Sequence, residues 1–272
     1  GDSSTSNAPT PTEKESPTVA PTSKEVTVDE RVLFEQSGIK LIVTGLKDSM
    51  FGPELTVLIE NEGSESVTVQ ARDVSVNGYM MSSVMFSADV VAGKKNNDTI
   101  TFMSSELKES GIETLGTIEV SFHVFNSDSW DTVFDTDTIT IETSAAGSVE
   151  QVASETKRVA FEQNGIKISF VDFDSEAFFG TDIKFYIENN SDIPITVQSR
   201  GTSINGFMID GSMSCDVLPG KMANTTLSFF SSSLEENGIT DIESVELKFH
   251  ILNKDSWDTI IDTDVITLEG SE

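Results

Sequence analysis

The sequence has a single cysteine, Cys215, among its 272 residues, and only two histidines. One cysteine cannot form a disulfide within the chain, and no other Cys or His stands near it at the spacing of a zinc site. Basic residues are also scarce, because 17 Lys and Arg accompany 46 Asp and Glu and leave a formal net charge of −29. A surface of this charge repels phosphate groups, so the composition argues against binding to nucleic acid or to anionic membranes.

The chain also lacks long hydrophobic runs and glycine-rich phosphate loops. Its apolar runs are of strand length, well below the roughly 20 residues needed to cross a bilayer, so we expect no transmembrane segment. Neither a Gly-x-Gly-x-x-Gly nor a Gly-Lys-Ser/Thr run is present, which leaves nucleotide binding without support. We therefore expect the protein to use no cofactor.

The first 28 residues are rich in Ser, Thr and Pro and contain few apolar side chains. Such a composition buries too little surface to offset the entropy of ordering, so it predicts a disordered spacer at 1–28. A spacer of this kind ahead of folded domains is typical of bacterial lipoproteins. It favours an extracellular protein anchored to the bacterial cell surface, with an N-terminal lipid anchor removed from this chain, and an ordinary interdomain linker is the alternative.

The rest of the sequence is a duplication. The run FEQSGIK at 34–40 recurs as FEQNGIK at 161–167, and DSWDT at 128–132 recurs at 255–259, both 127 positions later. Further matches continue along the full length of each copy. We therefore predict one repeat at 29–143, a linker at 144–156 and a second repeat at 157–272.

Within each copy, apolar residues alternate with polar ones, which is the pattern of strands with one buried face. The inward residues of the first copy are predicted to be Ile39, Leu41, Val43, Leu55, Val57, Ile59, Phe86, Ala88, Val90, Ile100, Phe102, Ile118, Val120, Phe122 and Val124. Those of the second are predicted to include Ile183, Phe185, Ile187, Met213, Cys215, Val217, Val245, Leu247, Phe249 and Ile251.

The connections between these strands have the composition of tight hairpin turns. Four dipeptides offer the positive φ angles that such turns need, namely Ser37-Gly38, Asn77-Gly78, Asn164-Gly165 and Asn205-Gly206. Residues 105–110 and 232–237 look helical, and a glycine follows each of them. Seven or eight strands and one short helical turn per copy predict an all-β chain of two tandem immunoglobulin-like antiparallel β-sandwiches. A small barrel is the alternative.

The run LTVLIENEGS at 55–64, followed by VTV at 67–69, resembles an immunoglobulin-like domain family of unassigned function found in lipoproteins of Gram-positive bacteria. The second copy adds Pro-Gly-Lys at 219–221, where the first has Ala92-Gly93. The resemblance covers most of each repeat. It implies a sandwich fold and a location at the cell surface, and it implies no activity.

Residues suited to catalysis are few. His123 and His250 occupy equivalent outward positions on a strand, whereas nucleophilic catalysis needs a His in a cleft beside a Ser or Cys. Cys215 falls on the inward side of its strand, and we expect it to be buried and unreactive. A hydrolase would need a paired-carboxylate cleft, for which composition alone gives no support. We therefore predict no catalytic residues and no enzymatic activity.

One segment in each repeat combines the single tryptophan of that repeat with several carboxylates. Its candidate ligand-binding residues are Asp128, Trp130 and Asp131 in the first copy, and Asp255, Trp257 and Asp258 in the second. Three interpretations remain open: a calcium site, a ligand stacked on the tryptophan, or a turn in which the tryptophan closes the end of the sandwich. We expect the tryptophans to be partly buried supports, and we assign no metal site.

The tandem repeats and the spacer together favour a non-catalytic, surface-tethered binding or interaction protein. Its partner would be an unknown protein or glycan at the cell surface, contacted by one repeat or by both. The alternatives are a purely structural spacer module and a calcium-stabilised glycan-binding module.

Overall fold

The computed structural model describes residues 25–150, 152–177 and 180–272. The spacer predicted at 1–28 therefore lies outside the described residues except for its last four. Among these, Thr27 donates its backbone N–H to the hydroxyl of Ser144 at 2.9 Å, and Val28 packs in the first hydrophobic core. The first core thus begins before residue 29.

The first repeat is built of short strands and one helix, α1, at Ser104–Glu109. Its strands are β1 Arg31–Gln36, β2 Ile39–Asp48, β3 Pro53–Asn61, β4 Val67–Val76, β5 Tyr79–Met80, β6 Ser87–Val90, β7 Lys95–Thr101, β8 Thr117–Asn126, β9 Thr132–Asp135 and β10 Ile139–Glu142. A 3-10 helix at Ala146–Ser148 follows in the linker.

The second repeat has the same order of elements, with its helix α2 at Ser231–Glu236. Its strands are β11 Arg158–Gln163, β12 Ile166–Ala177, β13 Gly180–Asn189, β14 Ile195–Ile204, β15 Phe207–Met208, β16 Ser214–Val217, β17 Met222–Phe230, β18 Ser244–Asn253, β19 Thr259–Asp262 and β20 Ile266–Glu269. Both helices are confirmed within one residue of their predicted positions.

Two sheets face each other in each repeat. One has the order β1-β2-β3-β7 in the first repeat and β11-β12-β13-β17 in the second. The other is centred on β4 and β8, or on β14 and β18, with the short strands paired along their edges. All pairs within a repeat are antiparallel in the described residues, and the predicted all-β architecture of antiparallel sandwiches is confirmed.

Each repeat has ten strands in the described residues, where we predicted seven or eight. The difference comes from pieces of two to four residues. The β5 strand, for example, is only the return arm of a hairpin at Asn77-Gly78. Both residues of that turn have positive φ, 49° and 83°, as the sequence predicted for all four hairpin dipeptides.

The predicted inward residues line two hydrophobic cores, one for each repeat. All of them are buried except Cys215, which is partly buried. Its strand β16 lies at the edge of its sheet and pairs only with β14, so the inward side chain is less completely covered than that of Met213 or Val217. The prediction that Cys215 is buried is therefore corrected: its side chain faces inward but is only partly buried.

The two repeats share one sheet. The edge strand β5 of the first repeat pairs in parallel with β17 of the second through Tyr79 and Met222, which joins six strands to four. Tyr186 of the second repeat packs in the core of the first. The described residues of the linker at 144–156 are mostly exposed, whereas Thr143 just before it is buried.

The helices of the described residues are all short. Neither six-residue α-helix, nor the 3-10 helix, is long and apolar enough to cross a membrane.

Candidate functional site: the tryptophan loops

The candidate residues lie in the connections from β8 to β9 and from β18 to β19, which we call the tryptophan loops (residues 127–131 and 254–258). An asparagine at the end of the preceding strand organises each loop. The Asn126 side-chain oxygen accepts the backbone N–H groups of Asp128 at 2.9 Å and Ser129 at 3.1 Å, and its carbonyl accepts that of Trp130 at 2.9 Å. Asn253 makes the same three contacts in the second loop. The two loops therefore have the same backbone structure.

Both tryptophans are exposed and hold a left-handed backbone conformation. Trp130 has a φ of 66° and is 74% exposed, and Trp257 has a φ of 64° and is 69% exposed. The expectation that they are partly buried supports is wrong. Each lies in the turn between two strands, where a left-handed backbone conformation coincides with a side chain that is exposed to solvent.

Trp130 is not fully surrounded by solvent, because its ring stacks on a neighbouring phenylalanine. The rings of Trp130 and Phe125 are 5.4 Å apart and 15° from parallel, and Phe125 in turn lies 5.3 Å from the His123 ring. Phe125 points outward from β8 yet is 95% buried under this cover, with a relative exposure of 5%. Leu252 holds the equivalent buried position in the second repeat. One face of the Trp130 ring thus rests on the protein.

Each outward histidine is paired with an aspartate of the next strand. Nδ1 of His123 lies 2.5 Å from Oδ1 of Asp135, and Nδ1 of His250 lies 2.5 Å from Oδ1 of Asp262. The sequence reasoning missed these pairs, although both aspartates recur at the repeat spacing. The register of β8 against β9, and of β18 against β19, is what brings them together.

The four candidate aspartates lie on both sides of the tryptophans and are exposed: Asp128, Asp131, Asp255 and Asp258. One of them is locally bound, because the Ser256 hydroxyl donates to Asp258 Oδ2 at 2.9 Å. Within the described ranges, no three His, Cys, Asp or Glu side chains are grouped so that they could hold a metal ion. The candidate residues of each repeat thus share one exposed turn between two strands.

Two concave surfaces of the described residues lie away from these loops. A cavity of about 600 Å³ is lined by the α1–β8 connection, the linker and β17, with Tyr79, Ser110, Ser154 and Asn224 among its residues. A second cavity, of about 580 Å³, lies against β2, α1 and the residues before β1. Neither cavity is lined by a residue of the tryptophan loops.

Comparison with known proteins gives no family. No family model matches the chain, and no curated protein does so. Among solved structures, the YadV chaperone matches with a TM-score of 0.24 at 9% identity, over 79% of this chain and 91% of that one.

Two further solved structures match in the same way. The Salmonella enterica SafA pilin in complex with the SafB chaperone has a TM-score of 0.20 at 11% identity, over 79% of this chain and 88% of that one. The exo-chitosanase CsxA of Amycolatopsis orientalis has a TM-score of 0.26 at 13% identity, over 82% of this chain but only 26% of the enzyme. Similarities of this size support no conclusion about the activity of this chain.

Proposed function

We propose that the protein is a non-catalytic binding protein whose tryptophan loops contact the ligand. The observation that carries the proposal is the pair of exposed tryptophans, Trp130 and Trp257, held at positive φ in both repeats. A residue with a Cβ in this conformation is strained by about 1 to 2 kcal/mol. Strain of this kind persists where the surrounding structure enforces it, and it is concentrated at ligand-contacting positions.

The chemistry around each ring indicates the type of ligand. Indole rings offer a large apolar face that stacks on other flat or apolar groups. The exposed carboxylates of Asp128 and Asp131 add acceptors for hydroxyl groups and attract positive charge, which also binds favourably over an indole face. A glycan, or a protein surface with Lys or Arg, fits this combination.

The duplicated loop makes two such contacts available to one chain. Linking two sites raises apparent affinity when both can be engaged together. We further propose that the protein works outside the cell, anchored to the bacterial surface. The Ser/Thr/Pro-rich first 28 residues and the resemblance at 55–69 to an immunoglobulin-like lipoprotein family support this location.

The proposal is tested by binding and by fluorescence. Because each repeat has one tryptophan, Trp130→Phe and Trp257→Phe each leave a single reporter for the other loop. Glycans of the bacterial surface and immobilised surface proteins are screened first, and the ligands found are titrated against both variants. We expect each ligand to change the emission of the remaining tryptophan.

Alanine substitutions then distinguish binding by the tryptophan loops from binding by the rest of the surface. Trp130→Ala with Trp257→Ala should weaken binding by about tenfold or more, as removal of an aromatic anchor does. Met85→Ala removes an apolar side chain outside the loops that is even more exposed, at 91%, and serves as the control. Binding that survives the double change, or that is lost equally with Met85→Ala, would contradict the proposal.

A further inference from the structure

The contact between the two repeats is an edge-to-edge strand pairing. The carbonyl of Gly78 accepts the backbone N–H of Met222 at 2.9 Å, where β5 meets β17. Beside this bond, Tyr79 and Tyr186 pack with ring centroids 6.3 Å apart, and each is only 2% exposed. The β5 hairpin of one repeat is thus buried by β17 of the next.

Charge pairs flank this strand pairing. Lys221, just before β17, forms an ion pair with Glu119 of β8, and both side chains are largely buried. Lys254 pairs with Asp73 at 3.0 Å. A like charge at either position would face its partner across a mostly desolvated contact, so these pairs fix which surfaces can meet.

Each repeat also has a second edge strand, equivalent to the strand that the other repeat contributes to this contact, and that edge takes no part in the contact within the chain. The second repeat has β15 at the edge of its sheet, at the position of β5, and there Phe207 and Met208 are 48% and 73% exposed. The first repeat has β7 at the edge of its sheet, at the position of β17. Leu58 on β3 corresponds to Tyr186.

The charges of these two unused edges are complementary. At the repeat spacing of 127, Lys94 corresponds to Lys221 and Glu246 corresponds to Glu119. Both are exposed in the structure. The ion pair that joins the repeats inside the chain can therefore form again between Lys94 of one molecule and Glu246 of another.

We propose that the chain associates head to tail, with the β15 edge of one molecule docked on the β7 edge of a second copy. Each contact joins two different surfaces, the β15 edge of one molecule and the β7 edge of the next. The association therefore does not close into a two-fold symmetric dimer, and it extends with concentration. This proposal rests on the edges of the sheets, and it does not depend on the function proposed for the tryptophan loops.

The contact between molecules should be weaker than the one inside the chain. Asp73 and Lys254 are replaced by Gly201 and Ser127 in the surfaces that would meet, so the second ion pair is lost. The molecules also gain nothing from being covalently linked. We therefore expect reversible association at high protein concentration.

The test uses sedimentation of the full chain at rising concentration and physiological ionic strength, where repulsion between distant surface charges is screened beyond about 8 Å. We expect the mean mass to rise beyond that of a dimer. Lys94→Glu and Glu246→Lys should each weaken association by about tenfold or more, because each places like charges opposite one another. Phe207→Ser should weaken it without any change of charge.

The decisive experiment mixes the two charge variants. An equimolar mixture of the Lys94→Glu and Glu246→Lys variants has opposite charges at every contact between unlike molecules, so it should associate again. Lys47→Glu makes the same charge change away from both edges and should have no effect. Circular dichroism melts confirm that the variants are folded. A chain that stays monomeric at all concentrations, an association unaffected by both charge changes, or a mixture that fails to associate would overturn the proposal.

Discussion

Trp130 and Trp257 owe their exposure to the backbone conformation of one residue. Both residues have a φ near 65°, and the asparagine that precedes each loop holds the loop backbone by three hydrogen bonds. The strain is therefore opposed by contacts that do not involve the indole ring. Substitution can therefore distinguish the contribution of the indole ring to stability from that of the strained backbone.

The first prediction separates them. Trp130→Ala removes the ring and keeps the strained Cβ, whereas Trp130→Gly removes both. We expect Trp130→Gly to be more stable than Trp130→Ala by about 1 kcal/mol, because glycine adopts positive φ without penalty. Urea unfolding measures the difference. Equal stability of the two variants would show that the loop relaxes to another conformation when the ring is absent.

Cys215 illustrates how burial controls a reactive group. Burial raises the pKa of its thiol to about 12, although the residue keeps some exposure at the edge strand. The thiolate is the form that reacts with disulfide reagents. At pH 8 the folded protein should therefore be labelled far more slowly than the unfolded protein, and labelling should accelerate as the pH approaches 12. Labelling at the same rate in both states would contradict this burial.

At the scale of single elements, alternation of apolar residues was sufficient to predict the longer strands and their buried faces, but not the strands of two to four residues. A period of two fixes which side chains face the core, and the four hairpin dipeptides fix the local register. The exposure of the tryptophans was not predictable in this way, because alternation gives no φ for a loop residue. The pairing of His123 with Asp135 also required the register between strands.

Another element-scale feature is the tight junction of β3 with the start of α1. Gly52 has a φ of 146°, and a Cβ there would lie 2.0 Å from the carbonyl oxygen of Phe102. Gly180 has the same conformation and the same close approach, to Phe229, in the second repeat. The duplicated close contact indicates that the helix position depends on this glycine.

We therefore expect Gly52→Ala to lower the free energy of unfolding by about 2 to 4 kcal/mol, since backbone must move to admit the methyl group. Gly45→Ala is the matched control, because a Cβ there meets only Thr56 Oγ1 at an ordinary 3.5 Å. Its effect should stay below about 1 kcal/mol. Thermal or urea unfolding compares the two. An equal loss in both variants would contradict the close approach.

The acidic loops should not depend on calcium. Calcium sites need six to eight oxygen ligands, and no group of three suitable side chains occurs in the parts of the chain that the structure describes. Asp135 is moreover already bound to His123. Millimolar calcium should therefore leave the melting temperature unchanged relative to EDTA. A rise that Asp128→Asn abolishes would identify the loop as a metal site.

At the scale of the whole molecule, the two repeats are joined by more than the linker. Asn224 of β17 donates to the hydroxyls of Ser110 at 3.2 Å and of Ser154 at 3.0 Å. Tyr79 donates its hydroxyl to the carbonyl of Val152 at 2.5 Å, so the linker itself is fixed against this contact. The duplication predicted the repeats, but it could not predict their contact, because residues such as Tyr186 and Met222 differ from their counterparts Leu58 and Lys95.

The last prediction is that the two repeats stay together after the linker is cut. A protease site inserted after Gly147, where surrounding space is open, allows cleavage without disturbing the strands. The cut protein should elute as one species, because the strand pairing, the packed tyrosines and the two ion pairs do not need a continuous chain.

Charge reversal tests which contacts hold the cut halves. Lys221→Glu with Lys254→Glu should separate them, since each lysine would be replaced by a group that repels its acidic partner. Lys167→Glu, which breaks a pair with Glu188 inside the second repeat, should leave them associated. If the halves of the protein with unaltered lysines separate as soon as the linker is cut, the linker alone holds them together. If the unaltered halves stay associated after cleavage, the edges of β5 and β17 bind each other without a covalent connection. The docking of a second copy requires the same property.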